Sequence, residues 1–125
     1  MTQEDNRKIV LDFYDAMINR KDFDAASAYL ADNYIQHEAH APDGVEGLRR
    51  FSAKMSERMP QGRLDVRRVF VDGDYVIIHA HVIPTPGDRG SARVAIFRVD
   101  AGKVVEHWSV TEPIPAETAN SNGVF

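Results

Sequence analysis

The chain has 125 residues, 43% hydrophobic and 27% charged, a balance that fits a soluble globular protein long enough to bury a core and a small pocket. A net charge of -4 with a pI near 5.7 argues against nucleic acid or a membrane surface as partner, and no apolar run approaches the roughly 20 residues that span a bilayer. There is no cysteine, which excludes disulfides, thiolate catalysis and Cys-based zinc sites, and the polar start "MTQEDNRKIV" lacks a signal-peptide core, so the cytoplasm is the expected compartment.

In "TQEDNRKIVLDFYDAMINRKD" the apolar residues Ile9, Val10, Phe13, Met17 and Ile18 recur at helical spacing, with Thr2 as N-cap and Asp5 in the first turn. "DFDAASAYLADNY" predicts a shorter helix, through Phe23, Ala26, Tyr29 and Leu30, ending near Asn33. A third helix is expected over "VEGLRRFSAKMSERM", preceded by Asp43-Gly44 and stopped by Pro60 and Gly62. The period then changes. "LDVRRVFVDGDYVIIHAHVI" reads as two strands joined at Asp72-Gly73-Asp74, and "SARVAIFRVDAGKVVEHWSVTE" repeats the pattern with a turn over residues 100–103. Three helices followed by a four-stranded antiparallel meander predict an α+β fold, with helices laid over a curved sheet and a pocket between them.

Three segments, "YIQHEAHAPDGVEGLRRF", "AIFRVDAGKVVEHWSV" and "EPIPAETANSNGVF", together resemble the SnoaL-like group related to polyketide cyclases, within the nuclear transport factor 2-like superfamily. The resemblance runs over nearly the whole chain and implies a single domain over residues 1–125. It further implies a cone-shaped sheet around a deep pocket, and a homodimer through the outer sheet face, where Trp108 and Val110 would lie. The same cone serves isomerases, hydrolases, cyclases and binding modules, so function has to be argued from the site.

Against that pattern the chain departs at telling places. The strand that reads "EHWD" in the family, with the aspartate as expected acid/base, here ends in Ser109. Ala95 stands where Asp or His is frequent, Glu38 replaces a common Asn after the histidine of "YIQH", and Glu112 replaces a customary Gln. Neither serine nor alanine supplies a pKa near neutrality. Ser109 as a nucleophile would need His107, two residues away on the same strand face, as its base.

Alternation puts His107 and Ser109 on one strand face and Trp108, Val110 and Glu112 on the other, and the resemblance implies that the first face, with Arg93, Ala95 and Phe97 by the same parity, looks into the cone. His37, His107 and Glu38 are the candidate proton-transfer groups, because imidazole titrates near pH 6.5 and a buried carboxylate can be tuned toward neutrality. Tyr14, Tyr34 and His79 are expected to complete the pocket wall. The histidines match no metal-ligand spacing, and neither metal nor cofactor is expected. Two functions follow. One is proton transfer on a small hydrophobic carbonyl compound, by aldol-type cyclisation or isomerisation, with histidines as acid/base. The other is a non-catalytic ligand-binding module that has lost the family's acids at Ala95 and Ser109.

Overall fold

A computed structural model describes residues 1–125. Helix α1 (Gln3–Tyr14) starts as expected: Thr2 accepts from the Asp5 backbone and Asp5 accepts from the Thr2 backbone, a complete capping box. The helix then widens into a π-helical turn, Asp15–Asn19, and a short α2 (Phe23–Ser27) follows. Helix α3 (Gly44–Arg58) is capped by Asp43.

Between α2 and α3 the chain departs from expectation. Residues Leu30–Gln36 form a strand, β1, not the end of a helix. Leu30 and Tyr34 are the buried pair of this segment, and a spacing of four fits a helical face as well as a strand face. The remaining strands are β2 (Arg63–Asp72), β3 (Tyr75–Ile83), β4 (Ser91–Asp100) and β5 (Lys103–Pro113). The sheet order is β1-β5-β4-β3-β2, with β1 parallel to β5 and every other pair antiparallel. The α+β cone therefore stands, with one more strand than the meander predicted.

Both hairpin turns lie where expected. Gly73 carries φ +60° in the first, and Ala101 and Gly102 carry +49° and +79° in the second, the two-positive pattern of a type I′ turn. Register confirms the alternation: Ala95 faces Ser109 and Phe97 faces His107 on one side, while Ile96 faces Trp108 on the other. The inner side holds the core. Val10, Phe13 and Tyr14 of α1 pack against Val76, Ile78, Ala95 and Phe97, all at most 2% exposed, and Tyr14 meets Phe97 edge-on with ring centres 4.9 Å apart.

Candidate functional site

A cavity of about 170 Å³ lies between the helices and the inner sheet face. Its wall is largely apolar: Phe13, Met17 and Ile18 from the first helical segment, Leu48, Phe51, Met55 and Met59 from α3 and its end, and Leu64, Val82 and Phe97 from the sheet. The π-helical turn contributes Met17 and Ile18, so the widened helix shapes the pocket directly. Into this apolar wall the protein sets a small polar cluster, Tyr14, Tyr34, Gln36, Glu38, Arg93 and His107.

Arg93 is the hub. Its Nε donates to the Tyr14 hydroxyl oxygen at 2.9 Å, Nη2 to Glu38 Oε2 at 3.2 Å and Nη1 to Thr111 Oγ1 at 3.3 Å. Burial pulls the Arg93 pKa down, but Tyr14 and then Glu38 outweigh it, and the net direction is up. Ser109 donates its hydroxyl to the same Glu38 Oε2. Oε2 thus collects two donors, and Glu38 Oε1 has no hydrogen-bond partner within the protein. Tyr14 accepts from Arg93, which leaves its own hydroxyl proton to donate. Burial raises the pKa of Tyr14 against the opposing pull of Arg93, and burial likewise raises that of Tyr34, so both phenols stay protonated.

The place where the family pattern puts an aspartate is therefore not without an acid. Ser109 sits under the carboxylate of Glu38, delivered by the segment that extends β1. Two glutamates stand at departures from the family pattern, Glu38 and Glu112. Glu38 faces the cavity, whereas Glu112 pairs with Ala92 in register and is exposed.

His107 is 5% exposed on the cavity wall. Burial, then the nearby Arg93 and His37, depress its pKa to about 3, so the ring is neutral at pH 7. It is not paired with Ser109 as a nucleophile's base, because the Ser109 hydroxyl is committed to Glu38 and His107 Nδ1 to Gln36. Gln36 was not foreseen, because it belongs to the unrecognised strand.

Two expected pocket residues lie elsewhere. His37 is on the outer face, where its Nε2 meets Glu106 at 2.7 Å and its ring stacks on Trp108 with centres 4.8 Å apart. His37 and then Arg98 hold the Glu106 carboxyl below its ordinary range. The physical reason is alternation: in a strand through Tyr34, Gln36 and Glu38, residue 37 must point away from them. His79 is also outward, opposite Val94 in register, with Nδ1 accepting from Arg68 at 2.5 Å and its ring 5.3 Å from that of Phe125. Tyr14, Tyr34, Arg93 and Phe97 line the cavity, while Ala95 and Ser109 share the inner sheet face without lining it. No three His, Asp or Glu side chains converge as a metal site would require.

An α+β cone with helices closing an apolar cavity defines the class of the molecule. A sequence profile of the SnoaL-like polyketide cyclase family matches residues 8–119, and the chain belongs to that family. Among solved structures, a SnoaL-like protein of unknown function from Burkholderia thailandensis is 17% identical with a TM-score of 0.75, the match covering 89% of this chain and 97% of that one. A candidate polyketide cyclase from Bacillus cereus is 20% identical with a TM-score of 0.75, covering 90% and 79%. A candidate hydroxylase from Streptomyces galilaeus is 18% identical with a TM-score of 0.74, covering 89% and 91%. At these identities the likeness is one of fold, and the reaction names differ among the neighbours. No match was found among curated protein sequences. No helix is long and apolar enough to cross a membrane.

Proposed function

We propose that residues 1–125 form one domain that binds a small hydrophobic carbonyl compound in the cone and moves a proton at the carbon beside the carbonyl. The observation that carries this reading is Glu38: a carboxylate with one oxygen tied to Arg93 and Ser109 and the other available, set in an apolar cavity beside a phenol with an uncommitted proton. We take Glu38 and not a histidine as the base, since His37 faces outward and the buried His107 ring, its pKa depressed to about 3, is a poor holder of an abstracted proton, whereas Glu38 brings a carboxylate into the cavity.

In the proposed step Glu38 Oε1 takes the α-proton. The C–H electron pair becomes the C=C bond of the enolate, and the carbonyl π pair moves onto oxygen. That oxygen is stabilised by the Tyr14 hydroxyl, itself polarised by Arg93. Where the substrate carries a β,γ double bond conjugated with the enolate, Glu38 returns the proton to the γ-carbon, an isomerisation; alternatively the enolate carbon attacks a second carbonyl carbon, whose π pair moves onto its oxygen and takes the proton from Glu38, an aldol closure. Neither path calls for a cofactor.

The cavity limits ligand size. A volume of about 170 Å³ is close to the ~150 Å³ void that accommodates benzene and below the usual ~300–1,000 Å³ of ligand pockets. A ligand built around one ring fits, and a larger one would extend past Arg63, an exposed residue of the lining. Titrating one-ring aryl ketones into the protein and following side-chain NMR shifts tests this part. Binding that perturbs Tyr14 and weakens in Tyr14→Phe is expected. Ketones that leave Tyr14 unperturbed would defeat it.

The second reading, a non-catalytic binding module, draws on the same contacts. Glu38 is tied down by Arg93 and Ser109, and Ala95 contributes no titratable group. Ligand binding without any proton exchange would favour it. We further infer a cytoplasmic homodimer. Val110 and Phe70, 71% and 57% exposed, are large apolar residues on the sheet that a second copy would cover, with Trp108 beside them.

A further inference from the structure

One amide oxygen holds two parts of the site together. Gln36 Oε1 accepts from the Glu38 backbone N–H at 2.9 Å and lies 2.8 Å from His107 Nδ1. The backbone N–H is an obligate donor, so the atom facing it must be the amide oxygen and not the amide nitrogen. An oxygen can only accept. His107 Nδ1 must therefore carry the ring proton, and its Nε2 is an acceptor lone pair. That tautomer is the reverse of the one a free histidine prefers in water, so the protein imposes it.

The same oxygen acts on Glu38. The backbone of this segment is anchored at three points: Gln36 N–H donates to Asp43 Oδ1 at 2.8 Å, His37 N–H donates to the His107 carbonyl at 2.9 Å, and Glu38 N–H donates to Gln36 Oε1. The third fixes the N–H of the residue that bears the carboxylate, whose carbonyl also accepts from the Ala41 N–H at 3.2 Å. It does so from within the cavity wall, two residues before it, while the carboxylate reaches Ser109 and Arg93 across the sheet. Gln36 Nε2 and His107 Nε2 are both buried without a protein partner, an expense a folded chain rarely keeps without a use for the groups that carry it.

We propose that Gln36 is a positioning residue: its single amide oxygen fixes the Nδ1–H tautomer of His107 and, through the Glu38 backbone, the reach of the Glu38 carboxylate over Ser109. The consequence for catalysis rests on Glu38 as the proton-transfer group. The placement itself does not, and it can be measured without a substrate.

The test is imidazole ¹⁵N NMR on the full chain and on Gln36→Met and Gln36→Glu. The expected result is an Nδ1–H tautomer at His107 in the natural protein, kept in Gln36→Glu, where a carboxylate oxygen can still accept, and lost in Gln36→Met. An Nε2–H tautomer in the natural protein, or an Nδ1–H tautomer surviving in folded Gln36→Met, would overturn the proposal. If Gln36→Met does not fold, the natural protein and Gln36→Glu decide it, because a shift to Nε2–H in folded Gln36→Glu also contradicts it. With an exchangeable ketone in hand, Gln36→Met should lower kcat about tenfold or more at nearly constant KM, as a displaced base does, with recovery in Gln36→Glu. A natural protein with the Nδ1–H tautomer and no proton exchange would sink the enzymatic reading and leave the clamp standing.

Discussion

Acidification should act on this fold through His107. The ring is buried and neutral, with its pKa depressed from 6.5 to about 3, first by burial and then by Arg93 and His37. Folding lowers the pKa, so the stabilisation is complete above about pH 6.5 and is lost as pH falls from there toward 3, while the unfolded chain takes up a proton the native state refuses. At about pH 5 the unfolded histidine is almost fully protonated and the native one almost not, which amounts to roughly 2 kcal/mol lost relative to pH 7. Burial of the ring means that solvent screening takes little from this figure. Urea unfolding of the natural protein and of His107→Gln at both pH values isolates the effect, since the other titrating groups are common to both. The natural protein should lose about 2 kcal/mol more than the variant between the two pH values. Equal losses, or an NMR titration of His107 near pH 6.5, would refute the reasoning.

Other outcomes follow from single contacts. Ser109→Ala removes a donor to Glu38 Oε2 and should cost about 1 kcal/mol by denaturant unfolding while leaving the fold intact. Tyr14→Phe leaves the Arg93 Nε donor without its acceptor and should cost about 1–3 kcal/mol as well as ligand affinity, read by unfolding and titration. A Cβ at Gly47 would lie 2.3 Å from the Pro42 carbonyl oxygen, so Gly47→Ala should cost about 1–3 kcal/mol by forcing the α3 start away from the preceding loop, measured as a fall in Tm. Val110→Glu should convert the inferred dimer to monomer in sedimentation analysis, and an already monomeric natural protein would remove that inference.

Much of the fold was legible because its signals were local. The N-cap at Thr2 with Asp5 in the first turn, the turn at Gly73 and the alternation along "SARVAIF" and "VVEHWSV" each report on neighbouring residues, and the structure has all of them. Strand β1 was not, because Ala26, Leu30 and Tyr34 fall every four residues, a spacing that suits both periods. Its pairing with β5 is parallel and irregular between Leu30 and Ile35, a long-range fact with no turn to announce it. That one miss propagated into the site. With the strand recognised, alternation through "YIQHE" places Tyr34, Gln36 and Glu38 inward and His37 outward, which corrects His37 and adds Gln36 together. His79 has a different physical reason: both parities of "YVIIHAHVI" carry apolar residues, so alternation alone does not say which faces the helices, and the register against β4 puts Ile78 and Ala80 inside and His79 outside.

Proton transfer in this cavity depends on Glu38 as the group that moves the proton. The most direct measurement is deuterium uptake at the α-carbon of one-ring aryl ketones in D₂O, followed by NMR with the natural protein and with Glu38→Gln, which keeps the side-chain size and an oxygen for Arg93. The natural protein should speed exchange at the α-position, and Glu38→Gln should lower that rate by about 10²–10⁴-fold while still binding the ketone. Exchange that survives unchanged in Glu38→Gln, or binding with no exchange in the natural protein, would contradict it.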